Sequence, residues 1–180
     1  MPRPSQRDRI VDAYVDHVVT DGPETVTLDA VAARAGVSKG GLLYHFGSRE
    51  ALLDGLLERV RALTEADIAT ARTAAEAGTE SMAHYYLRTS ADDPATDSGF
   101  FRAMVAVLKL AGTEEAAAAT ARASMAAWQA VLAEETGDEL TADLVAAVGD
   151  GIYLRAIAGE RGTPLTRDWD VTLQRLLGRV

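Results

Sequence analysis

Residues 28–47 read LDAVAARAGVSKGGLLYHFG, and this stretch decides the fold of the chain. Two apolar-periodic segments, each too short to be a stable helix alone, flank Gly36. Glycine tolerates the positive φ that a tight turn between two helices needs. The small Ala32 lets the two helices cross closely, and Ser38 can cap the second one. The pattern therefore predicts a helix-turn-helix.

The second of these helices has a composition suited to a DNA groove. Ser38 would leave backbone donors pointing outward, where they can hold a phosphate. Lys39 and the small Gly40 and Gly41 would let the helix lie deep in a major groove. Apolar residues on both sides of the turn would anchor the pair of helices to a core, and these are Leu28, Val31, Val37, Leu42 and Phe46.

The remainder of the chain also predicts helices, because prolines lie at segment ends and alternating β-type patterns are missing. One helix over about 5–20 precedes the helix-turn-helix, and a long one begins near Ser48. Later helices are expected over roughly 80–91, 98–111, 114–135, 141–159 and 167–179. The predicted fold class is all-α, with about nine helices.

Composition and charge exclude several functions. The 180 residues include no cysteine and only three scattered histidines, so we expect no disulfide, metal or cofactor site. No apolar segment has the length of a signal peptide or membrane span, which predicts a cytoplasmic protein with no membrane partner. The net charge of −9 argues against nucleic acid. However, residues 1–47 hold five basic and six acidic side chains, so local placement must decide.

The run VSKGGLLYHF at 37–46, followed by SREALL at 48–53, resembles the DNA-binding signature of the TetR family of bacterial transcriptional regulators. The resemblance implies a three-helix, helix-turn-helix DNA-binding domain over 1–47. It implies a helical ligand-sensing and dimerisation domain over 48–180. Where the family usually has tyrosine this chain has Leu43, so a phenolic phosphate contact is missing or is made by Tyr44.

The same resemblance implies which residues contact a double-stranded operator. Hydroxyls and cations at the helix starts would hold phosphate, and Lys39 would reach guanine acceptors. The residues implied are Thr27, Ser38, Lys39, Gly40, Gly41, Tyr44, His45, Ser48 and Arg49. Ordinary roles compete with these: Lys39 can be a solvated lysine, Tyr44 a core aromatic, and Arg49 the partner of a nearby carboxylate.

Bulky side chains in the middle helices suit a cavity for a small apolar or aromatic effector, as the resemblance implies. They include Tyr85, Tyr86, Phe101, Met104, Met125 and Trp128. Ordinary core packing is the alternative for each of them.

Two apolar stripes near the C-terminus predict the surface of a homodimer. One stripe runs through Gly149 and Gly151, whose missing side chains would admit a partner helix closely. The predicted interface residues are Leu144, Val148, Ile152, Trp169, Leu173 and Leu176. Packing within one subunit is the alternative.

The resemblance implies a ligand-responsive transcriptional repressor, released from a palindromic operator by its effector, and the patterns give no sign of an enzyme. The alternative is a protein that binds or sequesters a small molecule and carries a vestigial DNA-binding head. A more distant alternative is a helical enzyme that uses Asp92, Asp93 and Asp97, although no catalytic motif accompanies them.

Overall fold

The computed structural model describes residues 5–91, 99–160 and 162–178. Those residues form nine α-helices and two short 3-10 helices, with no strand among them, which confirms the all-α prediction. The 3-10 helices are Pro23–Thr25 and Pro164–Thr166. The α-helices are α1 (Gln6–Thr20), α2 (Leu28–Ala35), α3 (Lys39–His45), α4 (Arg49–Glu76), α5 (Met82–Thr89), α6 (Phe100–Leu110), α7 (Glu115–Thr136), α8 (Glu139–Ile157) and α9 (Trp169–Leu176).

Side-chain caps explain where most of these helices begin, within about two residues of the predicted starts. Ser5 and Asp8 form a reciprocal capping box at the start of α1. The hydroxyl oxygens of Thr27 and Ser38 accept backbone N–H groups at the starts of α2 and α3. Ser81, Asp138 and Asp168 cap α5, α8 and α9 in the same way.

The described residues pack as two compact units whose limits differ from the predicted domains. One unit contains the chain up to Leu63 together with residues 99–122, and the other contains the rest. Helix α6 belongs to the first unit because Ala103, Val107 and Leu110 are buried in the same core as α1. The predicted domain boundary between residues 47 and 48 does not coincide with the division between the two packed units. It therefore stays a prediction.

In the second unit, α5 is tied to its neighbours at its first turn and along its buried face. The Glu135 carboxylate accepts the backbone N–H groups of Met82 and Ala83, at 2.7 and 2.9 Å. Leu87 lies in a fully buried cluster with Leu132 of α7 and Val145 of α8. These contacts hold α5, and with it Tyr85 and Tyr86, in place against α7 and α8.

The described part of the chain bears on the predicted absence of membrane spans and metal sites. None of its helices is both long enough and apolar enough to cross a membrane. It contains no cluster of three or more His, Asp or Glu side chains placed to hold a metal ion. Asp92, Asp93 and Asp97, which the enzyme alternative requires, lie outside the described residues.

Candidate nucleic-acid interface and effector site

The turn between α2 and α3 depends on Gly36. Its φ is 65°, a left-handed conformation that costs a residue with a Cβ about 1 kcal/mol or more. Its N–H donates to the carbonyls of Ala32 and Ala33, and the N–H of Val37 also donates to Ala32, at 3.0 Å. Helix α2 therefore ends at this glycine, and the chain turns directly into α3.

Two buried side chains, Leu42 and Phe46, fix the rotation of α3 about its own axis. They lie four residues apart and belong to the core of the first unit. The Phe46 ring occupies the space that a side chain at Gly55 of α4 would need, because a Cβ there would lie 2.6 Å from Phe46 Cε1. With this side of α3 facing inward, Leu43 and Tyr44 face outward and His45 is half-buried.

None of the nine residues expected to contact DNA is buried. Thr27, Ser38, Lys39, Gly40, Tyr44 and Arg49 are exposed, and Gly41, His45 and Ser48 are half-buried. The Tyr44 side chain is 85% exposed, which excludes its alternative role as a core aromatic. Tyr44 and His45 meet edge to face, with ring centroids 5.1 Å apart.

The cations of this surface are paired with carboxylates of the same unit. Lys39 Nζ lies 2.9 Å from Asp29 Oδ2 in the first turn of α2, and both side chains are largely exposed. Arg49 donates to the carbonyl of Pro23 at 3.5 Å and lies 3.8 Å from a Glu114 carboxylate oxygen. Exposed pairs of this kind contribute about 1 kcal/mol or less, so a phosphate or a base edge can replace the carboxylate.

Gly40 is a glycine that its own subunit does not require. A Cβ at this position would have Ser38 Oγ, 4.0 Å away, as its nearest neighbour among the described atoms. Glycine inside a helix costs about 1 kcal/mol relative to alanine. The neighbouring Gly41 differs, because a Cβ there would lie 3.1 Å from the Gln6 amide nitrogen. Gly40 thus fits a surface that another molecule approaches closely.

In the second unit, three of the six predicted effector residues form one aromatic cluster. The Trp128 ring lies 6.1 Å from that of Tyr85 and 5.0 Å from that of Tyr86, measured between centroids. The Tyr85 hydroxyl donates to Asp67 at 2.7 Å and the Tyr86 hydroxyl to Asp150 at 2.8 Å. Burial, reinforced by these carboxylates, raises the pKa of both tyrosines well above its usual value. Both phenols therefore stay protonated and donate.

The other three predicted effector residues do not join this cluster. Phe101 and Met104 lie on α6, in the first unit, where Met104 packs against that unit's core. Met125 lies on α7 in the same unit as Trp128, but its side chain is 45% exposed. Helical spacing shows which apolar residues share one face of a helix. It cannot indicate which of several cores that face enters.

The structure buries part of the predicted dimer stripe on α8 within its own subunit. Ile152 is only 3% exposed and lies in the core of its own subunit. Val148 is half-buried against the same core, as are Trp169, Leu173 and Leu176. Gly149 admits the ring of Tyr86, since a Cβ there would collide with Tyr86 Cε1. The interior of the subunit therefore accounts for Gly149 and Ile152.

A different set of α8 residues remains exposed, and we call it the outer stripe. Its large members are Leu140, Leu144 and Leu154, whose side chains are 68, 48 and 67% exposed. The full stripe follows three- and four-residue spacing and consists of Leu140, Leu144, Ala147, Gly151 and Leu154. Of the residues predicted on α8 for the interface, only Leu144 belongs to it. The same spacing was visible in the sequence, but α8 is apolar on both sides.

Helices α2 and α3, joined by the tight turn at Gly36, form a helix-turn-helix whose second helix, the recognition helix, is exposed on one face. Comparison with known families identifies the family. Residues 10–56 match the family model described as bacterial regulatory proteins, tetR family. Residues 80–180 match the model described as tetracyclin repressor-like, C-terminal domain. The chain belongs to the TetR family, which confirms the resemblance.

Two curated relatives match a segment of the chain. The HTH-type transcriptional regulators SrpR and TtgW, both from Pseudomonas putida, are each 37% identical over 51 residues. This segment is 28% of the present chain, 24% of SrpR and 38% of TtgW. The chain thus aligns with well under half the length of either relative.

Among solved structures, the fold is similar to that of the multidrug-binding protein EbrR in complex with malachite green. The TM-score is 0.70, the sequence identity is 23%, and the match covers 98% of this chain and 99% of EbrR. At this identity the similarity concerns the fold.

We predict that Gly40→Ala has opposite effects on stability and on DNA binding. Stability should stay unchanged or rise by up to about 1 kcal/mol, because the added Cβ meets open space and alanine favours helix. Affinity for DNA should fall at least several-fold, because the methyl group would stand between α3 and the groove. Thermal unfolding and a gel shift measure the two effects.

Gly55→Ala is the matched control for this change. Its Cβ would collide with the Phe46 ring, so it should destabilise the protein by about 1–3 kcal/mol. Gly40→Ala protein that binds DNA as tightly as the unmodified protein would contradict the role given to Gly40.

Proposed function

We propose that this protein is a transcriptional repressor that binds a palindromic operator as a homodimer and leaves it when a small effector binds. The observation that carries the proposal is the orientation of α3, whose buried Leu42 and Phe46 leave Lys39, Gly40 and Tyr44 facing outward. Membership of a family of DNA-binding regulators supports the same function.

In this proposal the exposed residues divide into two roles. Thr27, Ser48 and Arg49 hold backbone phosphates. They position the helix-turn-helix on the DNA without contributing to sequence recognition. Lys39 leaves Asp29 and reaches guanine acceptors in the major groove, where a correct pair gives about 1–3 kcal/mol of discrimination. His45 and Tyr44 contact the backbone or base edges beside it.

We expect specific binding to DNA that flanks the protein's own gene, with strong salt dependence. Lys39→Ala should lower affinity and relax the preference for one base pair in each half-site. Arg122→Ala is the control, because Arg122 pairs with Glu115 on the surface of α7, outside the proposed interface. Gel shifts over a salt series and a set of single base-pair changes provide the measurement.

Two outcomes would argue against this assignment. If Lys39→Ala keeps the full base preference, Lys39 does not read the operator. If no DNA is bound specifically, the alternative of a small-molecule-binding protein with a vestigial head gains support.

The outer stripe of α8 is the proposed dimer surface. Leu140, Leu144 and Leu154 are large apolar side chains on one helix face, and the described part of their own subunit leaves them exposed. Ala147 and Gly151 lie between them and leave room for a partner helix at close range. A twofold axis would bring two copies of this face together. A palindromic operator with half-sites one turn of DNA apart requires the two recognition helices to lie about 34–36 Å apart.

Leu144→Glu combined with Leu154→Glu should convert the dimer into monomers, because two carboxylates would be buried against a second copy of the same apolar face. Leu108→Glu on α6 is the control, since this leucine is also exposed but lies off the stripe. Sedimentation equilibrium distinguishes the two states. A double variant that stays dimeric would place the interface elsewhere.

The aromatic cluster of Tyr85, Tyr86 and Trp128 is the proposed centre of effector recognition. Tyr85 and Trp128 are buried and stacked on each other, so a small aromatic molecule would stack on these rings by displacing part of their packing. Met125, three residues before Trp128 on α7 and 45% exposed, would adapt to different shapes. The effector would favour a conformation with lower operator affinity, and it can shift that equilibrium only by its differential affinity for the two states.

A panel of aromatic compounds that includes malachite green tests the effector proposal. In the Trp169→Phe background, at least one compound should quench the fluorescence of Trp128 and release the operator at the same concentration. Tyr86→Ala should weaken both effects about equally. Compounds that quench Trp128 without changing operator affinity would instead favour the sequestering alternative.

A further inference from the structure

Leu43 has a position on the recognition helix that its own subunit does not explain. Its neighbour Leu42 is fully buried, whereas the Leu43 side chain is 40% exposed. It follows Lys39 by four residues and Gly40 by three, so these three positions share one face of α3. Gly40 has no side chain with which to cover Leu43. A partly exposed leucine therefore lies within the surface proposed to meet DNA.

This surface is poor in groups that could read bases by hydrogen bonds. The exposed positions of α3 are Lys39, Gly40, Leu43 and Tyr44. Two of these four, Gly40 and Leu43, carry no polar side-chain atom. Neither of them can recognise a base by a side-chain hydrogen bond. An apolar side chain in a major groove can recognise the C5-methyl group of thymine, which no other standard DNA base carries.

We propose that Leu43 determines part of the operator sequence by packing against the methyl group of one thymine in each half-site. The inference rests on the proposed operator binding and adds to it the base that this position selects. The absence of a side chain at Gly40 lets α3 approach the groove closely enough for this contact. Lys39, one turn away, would read the neighbouring base pairs.

Replacement of thymine by deoxyuridine tests the contact directly, because uracil keeps every hydrogen-bonding group of thymine and lacks only the methyl. Each thymine of the footprinted operator is replaced in turn, symmetrically in both half-sites, and affinity is measured by gel shift. One replacement should weaken binding by about fourfold per half-site, the effect expected for one buried methyl group.

The Leu43→Ala variant tests the same contact from the protein side, which completes a double-mutant cycle between Leu43 and the thymine methyl group. It should bind the thymine operator more weakly, and it should bind the thymine and uracil operators with equal affinity. Leu108→Ala, which removes a similarly exposed leucine from α6, should keep the full sensitivity to the methyl group. Equal thermal unfolding temperatures of Leu43→Ala and the unmodified protein would show that the head still folds.

Two results would overturn the inference while leaving operator binding intact. One is an operator whose affinity is unchanged by uracil at every thymine. The other is a Leu43→Ala protein that discriminates thymine from uracil as well as the unmodified protein does. A protein without any specific footprint would overturn the proposed function as well, so the two failures are distinguishable.

Discussion

The burial of Leu42 and Phe46 is the interaction on which the proposed DNA-reading surface depends. Helix α3 has seven residues, two of them glycine, and a helix of this length and composition is not stable alone. Its two anchors lie one turn apart, so they fix the helix in place and also fix its rotation. Gly55 makes this possible, because only a residue without a side chain leaves room for the Phe46 ring. Every outward position on α3 follows from this contact.

Helix α8 shows how one helix can serve two purposes through two apolar faces. On its inner face, Gly149 receives the Tyr86 ring. The exposed Asp150 next to it accepts a hydrogen bond from the Tyr86 hydroxyl. Its outer face presents Leu140, Leu144 and Leu154. A residue proposed to respond to an effector and a surface suited to a second copy thus lie on opposite sides of the same helix. A shift of the Tyr86 ring would act on α8 directly, because a packed ring and a backbone without Cβ leave no free space between them.

Placement of charge, more than its total, distinguishes the parts of this acidic protein. The cations near α3 lie on the surface in exposed pairs with single carboxylates, such as Lys39 with Asp29. Such pairs are weak in water and can be exchanged for phosphate. In the second unit, by contrast, Asp67 and Asp150 accept hydroxyl groups of Tyr85 and Tyr86. The overall charge of −9 therefore does not contradict a DNA-binding role for the first unit.

The sequence by itself determined the helices, the approximate positions of their ends and the turn at Gly36. These depend on local chemistry: caps such as Ser5 and Ser38, glycine at positive φ, and apolar residues at helical spacing. Only the tertiary structure decided which apolar face enters a core. Ile152 and Leu154 are equally apolar and two residues apart, yet one is buried and the other exposed. The choice depends on Tyr86 and Leu87, which approach α8 from a helix more than fifty residues earlier, and local periodicity carries no information about that neighbour.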